Sequence, residues 1–124
     1  MSEASIDLMP DPLGLALREY LTESVSAELQ LVIPSSRAWP QDIALYFPRA
    51  PQNDIERAVL SRVRGRVLDI GAGAGRASLL LQDGGLEVLA IDVSPGAVAV
   101  MQERGVRHAA CIDWESQLRK GAES

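Results

Sequence analysis

The chain has 124 residues, 47% of them hydrophobic, and 17 acidic against 12 basic side chains give it a formal charge of −5. That is enough for one domain with a buried core, and an acidic chain without a basic stripe is a poor nonspecific nucleic-acid binder. No apolar run approaches the ~20 residues of a membrane span, the start MSEASIDLMPDP is too polar for a signal peptide, and a lone Cys111 with no internal partner points to a reducing, cytoplasmic home.

Residues 1–11 read as a loose lead-in. Asp11 and Pro12 supply a cap and a first-turn proline for a short amphipathic helix over Leu13–Leu21. The alternation in Ala27–Ile33 predicts a half-buried strand stopped by Pro34-Ser35-Ser36, although a helix through Ser24–Gln30 has no breaker against it. An apolar patch, Ile43–Phe47, precedes the proline-rich stretch Pro48–Gln52, a natural boundary between an accessory segment (1–52) and a following unit (53–124). Asn53 or Asp54 caps a helix over Ile55–Arg64, with Gly65 as its stop.

The informative stretch is Arg66–Arg76, RVLDIGAGAGR. An apolar strand (Arg66–Ile70) runs into Gly71, Gly73 and Gly75, which alternate with Ala72 and Ala74, and a helix over about Gly75–Gln82 follows. Strand, glycine turn and helix open a βαβ unit that binds a nucleotide-like ligand. A dinucleotide fingerprint, G-x-G-x-x-G, would need glycine where Arg76 stands. Asp69 just before the turn would repel a pyrophosphate but suits an ammonium group. A second strand over Glu87–Ile91 ends at Asp92, about 20 residues beyond the turn, where a carboxylate can hold both ribose hydroxyls. Val93-Ser94-Pro95 starts a helix over Pro95–Arg104, Gly105 ends it, and a third strand spans about Val106–Ile112. Asp113–Lys120 allows one exposed helical turn, with Gly121–Ser124 as a tail.

In these residues the chain resembles class I S-adenosylmethionine-dependent methyltransferases, whose loop is D-x-G-x-G-x-G followed by D-x-S-P. The resemblance implies an α/β, Rossmann-like parallel sheet of βαβαβ type, the first half of the family's seven-stranded sheet, behind an N-terminal helix-and-strand extension. Its cofactor would be S-adenosyl-L-methionine, held by Asp69, Gly71, Ala72, Gly73, Gly75, Asp92 and Val93. Asp113 stands where the family often carries an adenine-binding Asp, with a helix cap as the even alternative; Trp114 could cover the adenine or the sheet edge. The helix over Ile55–Arg64 matches the one that packs on the family's sheet. In the family the acceptor site is built after strand four, so no catalytic residue is named, and a small-molecule acceptor suits the charge better than nucleic acid.

Tyr46 and Phe47 fit packing better than a lid, Arg76 a solvent-facing position, and Cys111 a small buried hydrophobe. His108, facing out, lacks partners for a metal site. With strand four beyond the sequence, the expected form is shortened. The open edge of strand one then invites self-association, cover by Ala27–Ile33, or marginal stability. Two rival readings are a nicotinamide-dependent oxidoreductase fragment and a noncatalytic half-module that binds the cofactor or a partner.

Overall fold

The computed structural model describes residues 11–32 and 38–123. The lead-in before Asp11, the stop at Pro34–Ser36 and the last residue of the tail lie outside them. Helix α1 (Pro12–Glu23) begins as its sequence dictates, with Asp11 as N-cap accepting from the Gly14 amide at 3.0 Å and Pro12 in the first turn. Ser24 ends it in the left-handed region. Strand β1 (Leu29–Val32) replaces the helical alternative and pairs antiparallel with β2 (Ala38–Gln41). Sequence reasoning missed β2 because it contains Pro40. A two-stranded ribbon has only edge strands, however, and there a proline is tolerated. The patch over Ile43–Tyr46 is a 3-10 turn capped by Asp42, with Ile43 fully buried.

Helix α2 (Asp54–Leu60) takes the expected Asn53 cap, whose side chain accepts from the Glu56 amide at 2.8 Å. It is shorter than Ile55–Arg64 and does not bury its apolar side, since Ile55 is 78% and Val59 59% exposed. An ion pair made by Glu56, described below, holds it in place of a packed face.

The main sheet is parallel, in the order β3 (Arg66–Ile70), β4 (Glu87–Asp92), β5 (Ala109–Cys111). Its crossovers are α3 (Arg76–Asp83) and α4 (Pro95–Arg104). Leu79 of α3 and Val98 and Met101 of α4 cluster with Ala90, so both helices lie on one face. On the other face Leu68 is 54% exposed, and Ile70 and Leu89 are exposed as well. The apolar run in β3 is therefore covered on one side only. Strand β1 belongs to its own ribbon and does not pair with the edge of β3; Ile33 lies outside the described residues.

Strand β5 is shorter than Val106–Ile112 because its first residues finish α4. Gly105 turns left-handed (φ 102°) and the Val106 amide reaches back to Met101 O at 3.0 Å, burying Val106 under the helices. The C-terminal stretch is a full helix, α5 (Trp114–Glu123), in place of one turn and a tail. Cys111 is exposed, with its thiol 3.5 Å from Val93 O, not buried as its residue type suggested.

A second core cluster joins Leu17 of α1, Ile43, Ala74 of the glycine turn, and Ala97 and Val100 of α4. Helices α1 and α4 meet at Gly14 and Gly96, where a Cβ on Gly14 would lie 2.7 Å from the Cα of Gly96. Only glycine allows that approach. The Asp11 carboxylate spans the junction, accepting from Ser94 Oγ (2.7 Å) and the Gly96 amide (2.9 Å) as well as from its own helix. Burial would raise its pKa, but these hydrogen bonds outweigh it and hold the carboxyl below its ordinary value. A carboxylate with a lowered folded pKa stabilises above its unfolded pKa and loses that contribution as pH falls through the folded one. Asp11→Asn should therefore be less stable than the parent at pH 7 and should narrow the gap on acidification. Urea titrations from pH 7 to pH 3 would show it, and parallel pH profiles would contradict it.

Candidate functional site

The three loop glycines all take left-handed backbone angles, with φ of 70° at Gly71, 60° at Gly73 and 82° at Gly75. Gly75 is the N-cap of α3 and packs so closely that a Cβ would meet Val106 Cγ2 at 2.8 Å. Gly73 faces the other way, and a Cβ there would meet the Tyr46 ring at 2.9 Å.

The amides of this turn are committed inside the protein. Those of Gly71 and Ala72 both donate to Ile91 O, at 2.9 and 3.0 Å, and that of Gly75 donates to Ala72 O at 2.9 Å. The Gly73 amide donates to Asp92 Oδ2 at 2.9 Å. A phosphate-binding turn presents its N–H groups to the ligand; these four point inward. What the turn offers a ligand is close backbone approach, with nothing within 4 Å of a Cβ built on Gly71.

Asp92 is buried, and its other oxygen accepts from the Ser94 amide at 2.9 Å. It thus ties the β3–α3 turn to the β4–α4 turn. A carboxylate has about four acceptor sites, and these two bonds leave room for more. Asp69 is half-buried at the end of β3 and accepts from the hydroxyl of the fully buried Ser78 at 2.6 Å. Sequence reasoning missed Ser78, which gives no signal beyond its place one turn into a helix after a glycine loop.

Beside the turn lies an open cleft of about 510 Å³. Asp69, Gly71, Ala72 and Gly73 form one wall; Gln41, Asp42, Leu45, Tyr46 and Gln52, from the N-terminal side, form the opposite one. Among the expected site residues, the structure brings those four to the cleft; Asp92 does not line it but bonds the Gly73 amide, which belongs to its wall. Gly75 serves packing. Val93 and Trp114 are exposed and do not line the cleft. Asp113 accepts from the Ser116 amide at 3.3 Å and acts as a cap for α5.

Arg76 does not face solvent. Its guanidinium grips both oxygens of Glu56, with Nη2 to Oε2 at 2.9 Å, and Nη1 also donates to Ala50 O at 3.0 Å. The hydrogen bonds to Arg76 hold the Glu56 carboxyl below its usual pKa and raise that of Arg76. Arg104 donates to Ala74 O at 2.6 Å and to Phe47 O, and lies 4.8 Å from the centre of the Phe47 ring. Phe47 also packs on Tyr20, with 4.6 Å between ring centroids, and both aromatics pack against the core as expected, Tyr46 lining the cleft as well. No cluster of His, Cys, Asp and Glu suited to a metal occurs among the described residues, nor does a helix long and apolar enough to cross a membrane.

Gly73→Val would place a branched side chain at a positive φ and against Tyr46. It should destabilise the fold by about 2 kcal/mol or more; an unchanged denaturation midpoint would contradict the close contact of turn and ring.

With this geometry in view, three similarities bear on the chain. Residues 67–119 match the model of a methyltransferase domain. An "uncharacterized methyltransferase" of Staphylococcus carnosus (strain TM300) is 51% identical over 43 residues, which are 35% of this chain and 21% of that protein. The crystal structure of an S-adenosylmethionine-dependent methyltransferase from Bacteroides fragilis, in complex with S-adenosyl-L-homocysteine, superposes with a TM-score of 0.78 at 33% identity. That match covers 85% of this chain and 45% of the other, so the chain spans less than half the length of its solved relative.

Proposed function

We propose that this chain, which carries the Rossmann-like first part of a class I S-adenosylmethionine-dependent methyltransferase domain, binds S-adenosyl-L-methionine along its glycine turn and serves methyl transfer to a small-molecule acceptor. One observation carries the choice of cofactor. The turn amides of Gly71, Ala72, Gly73 and Gly75 are spent internally while Asp69 stands at the mouth. Such a site disfavours a pyrophosphate and favours a ligand with a positive amino-acid end. The relative solved with S-adenosyl-L-homocysteine supports the same reading.

The cofactor, when bound, supplies a methyl group already activated on a sulfonium. The chain's part is to bind, orient and exclude water. Asp69, steadied by Ser78, meets the ammonium group; Asp92 uses its remaining acceptor sites for the ribose hydroxyls; Leu45 and Tyr46 wall the cleft against solvent. In this reading residues 1–52 are the accessory segment that supplies that wall, and residues 53–124 are the cofactor-binding unit. A small-molecule acceptor and a cytoplasmic setting are supported by the charge of −5 and the single cysteine. No residue is assigned as a general base.

Titration calorimetry of the full chain with S-adenosylhomocysteine and with NAD tests the proposal. Saturable binding of the first and none of the second is the expected result, with Asp92→Ala weakening it by about 1.5–3 kcal/mol. Preference for NAD, or no loss in the variant, would overturn the assignment.

A further inference from the structure

The segment Asp42–Gln52 lines one side of the cleft as a strap, and its arginine tethers come from α3 and α4. At its middle, Arg104 of α4 takes Phe47 O with one nitrogen and Ala74 O, inside the turn, with the other. At the far end, Arg76 of α3 holds Glu56 and Ala50 O, while Glu56 Oε1 accepts from the Gln52 amide at 3.1 Å. Next to the Phe47 anchor, the Tyr46 ring rests against Gly73. The strap also has its own hold on the core through Ile43, against whose cluster Tyr46 and Phe47 pack; beyond that, Gln52 Nε2 donates to Leu45 O at 3.2 Å, and Arg49 pairs with Asp83 at 3.1 Å across an exposed surface. Exposed pairs like the latter contribute little. The Arg76–Glu56 pair is bidentate and mostly sheltered, with side chains 15% and 25% exposed, a geometry in which such a pair does fix position.

We infer that Arg76 and Arg104 are positioning residues for the cofactor: through Glu56, Phe47 O and Ala74 O they latch the strap so that Tyr46 stays over Gly73 and closes the wall of the cleft. The inference rests on the cofactor reading above and adds to it a role for two arginines that act through the strap, Arg104 from outside the cleft and Arg76 from its lining. Burial lowers the pKa of Arg104, with a further push from Arg49. It still carries its proton at neutral pH, so the latch holds there.

The test uses the full chain, amide hydrogen exchange, and S-adenosylhomocysteine as the probe. Glu56→Gln and Arg104→Met should each speed exchange at Ala44–Phe47 about tenfold and weaken S-adenosylhomocysteine several-fold. Arg76→Met added to Glu56→Gln should speed exchange somewhat further, because it also removes the bond to Ala50 O. On a Tyr46→Ala background the affinity losses should vanish, which a general loosening of the fold would not produce. Faster exchange with parental affinity would overturn the inference, as would losses that persist without the Tyr46 ring. A parent chain that binds no S-adenosylhomocysteine would sink the cofactor reading itself and the positioning role with it. The exchange rates would then still show separately whether the arginines hold the strap.

Discussion

A single buried carboxylate holds the site together. Asp92 accepts from the Gly73 amide on one oxygen and from the Ser94 amide on the other, joining two turns that are far apart in sequence. Hydrogen bonds to a charged group are worth about 1.5–3 kcal/mol each, enough to set the turn's shape against the entropy of a glycine-rich loop. From Ser94 the chain of contacts runs on. Its hydroxyl accepts from the Ala97 amide, capping α4, and donates to Asp11, which caps α1. One polar thread thus fixes the glycine turn, the second crossover and the N-terminal helix in a common frame.

That frame explains why the cleft has two unlike walls. The sheet side is backbone, open at Gly71 and negative at Asp69. The other side comes from a strap held by two arginines, and α2, next to it, is held by Glu56 and not by its apolar residues. Parallel strands normally have both faces covered. Here α3 and α4 share one face while Leu68, Ile70 and Leu89 on the other are exposed.

Much of this was legible in the sequence, and for definite reasons. Glycine turns, caps and strand-end acids act locally, so Arg66–Ile70, Pro95–Arg104 and the Asn53 cap fall where expected. The resemblance to class I methyltransferases, carried by Asp69, the glycines and the D-x-S-P turn, is borne out by the matched domain model and the solved relative. What the sequence hid is tertiary. Pro40 concealed a strand that exists only as half of a ribbon, and Val106 reads as a strand residue until the cap of α4 claims it. Arg76 looks solvent-bound because Glu56, its partner, lies 20 residues earlier. Cys111 shows that residue type alone does not decide burial at the last strand of a sheet.

An amide-resolved NMR titration of the full chain with S-adenosyl-L-methionine tests most directly the proposal that the glycine-turn cleft holds the cofactor. Saturable shifts concentrated at Asp69–Gly73, at Asp92 and at Leu45–Tyr46 are expected, with NAD at equal concentration leaving those resonances in place. Shifts confined to the bare face around Leu68 and Leu89, or equal responses to both ligands, would contradict it.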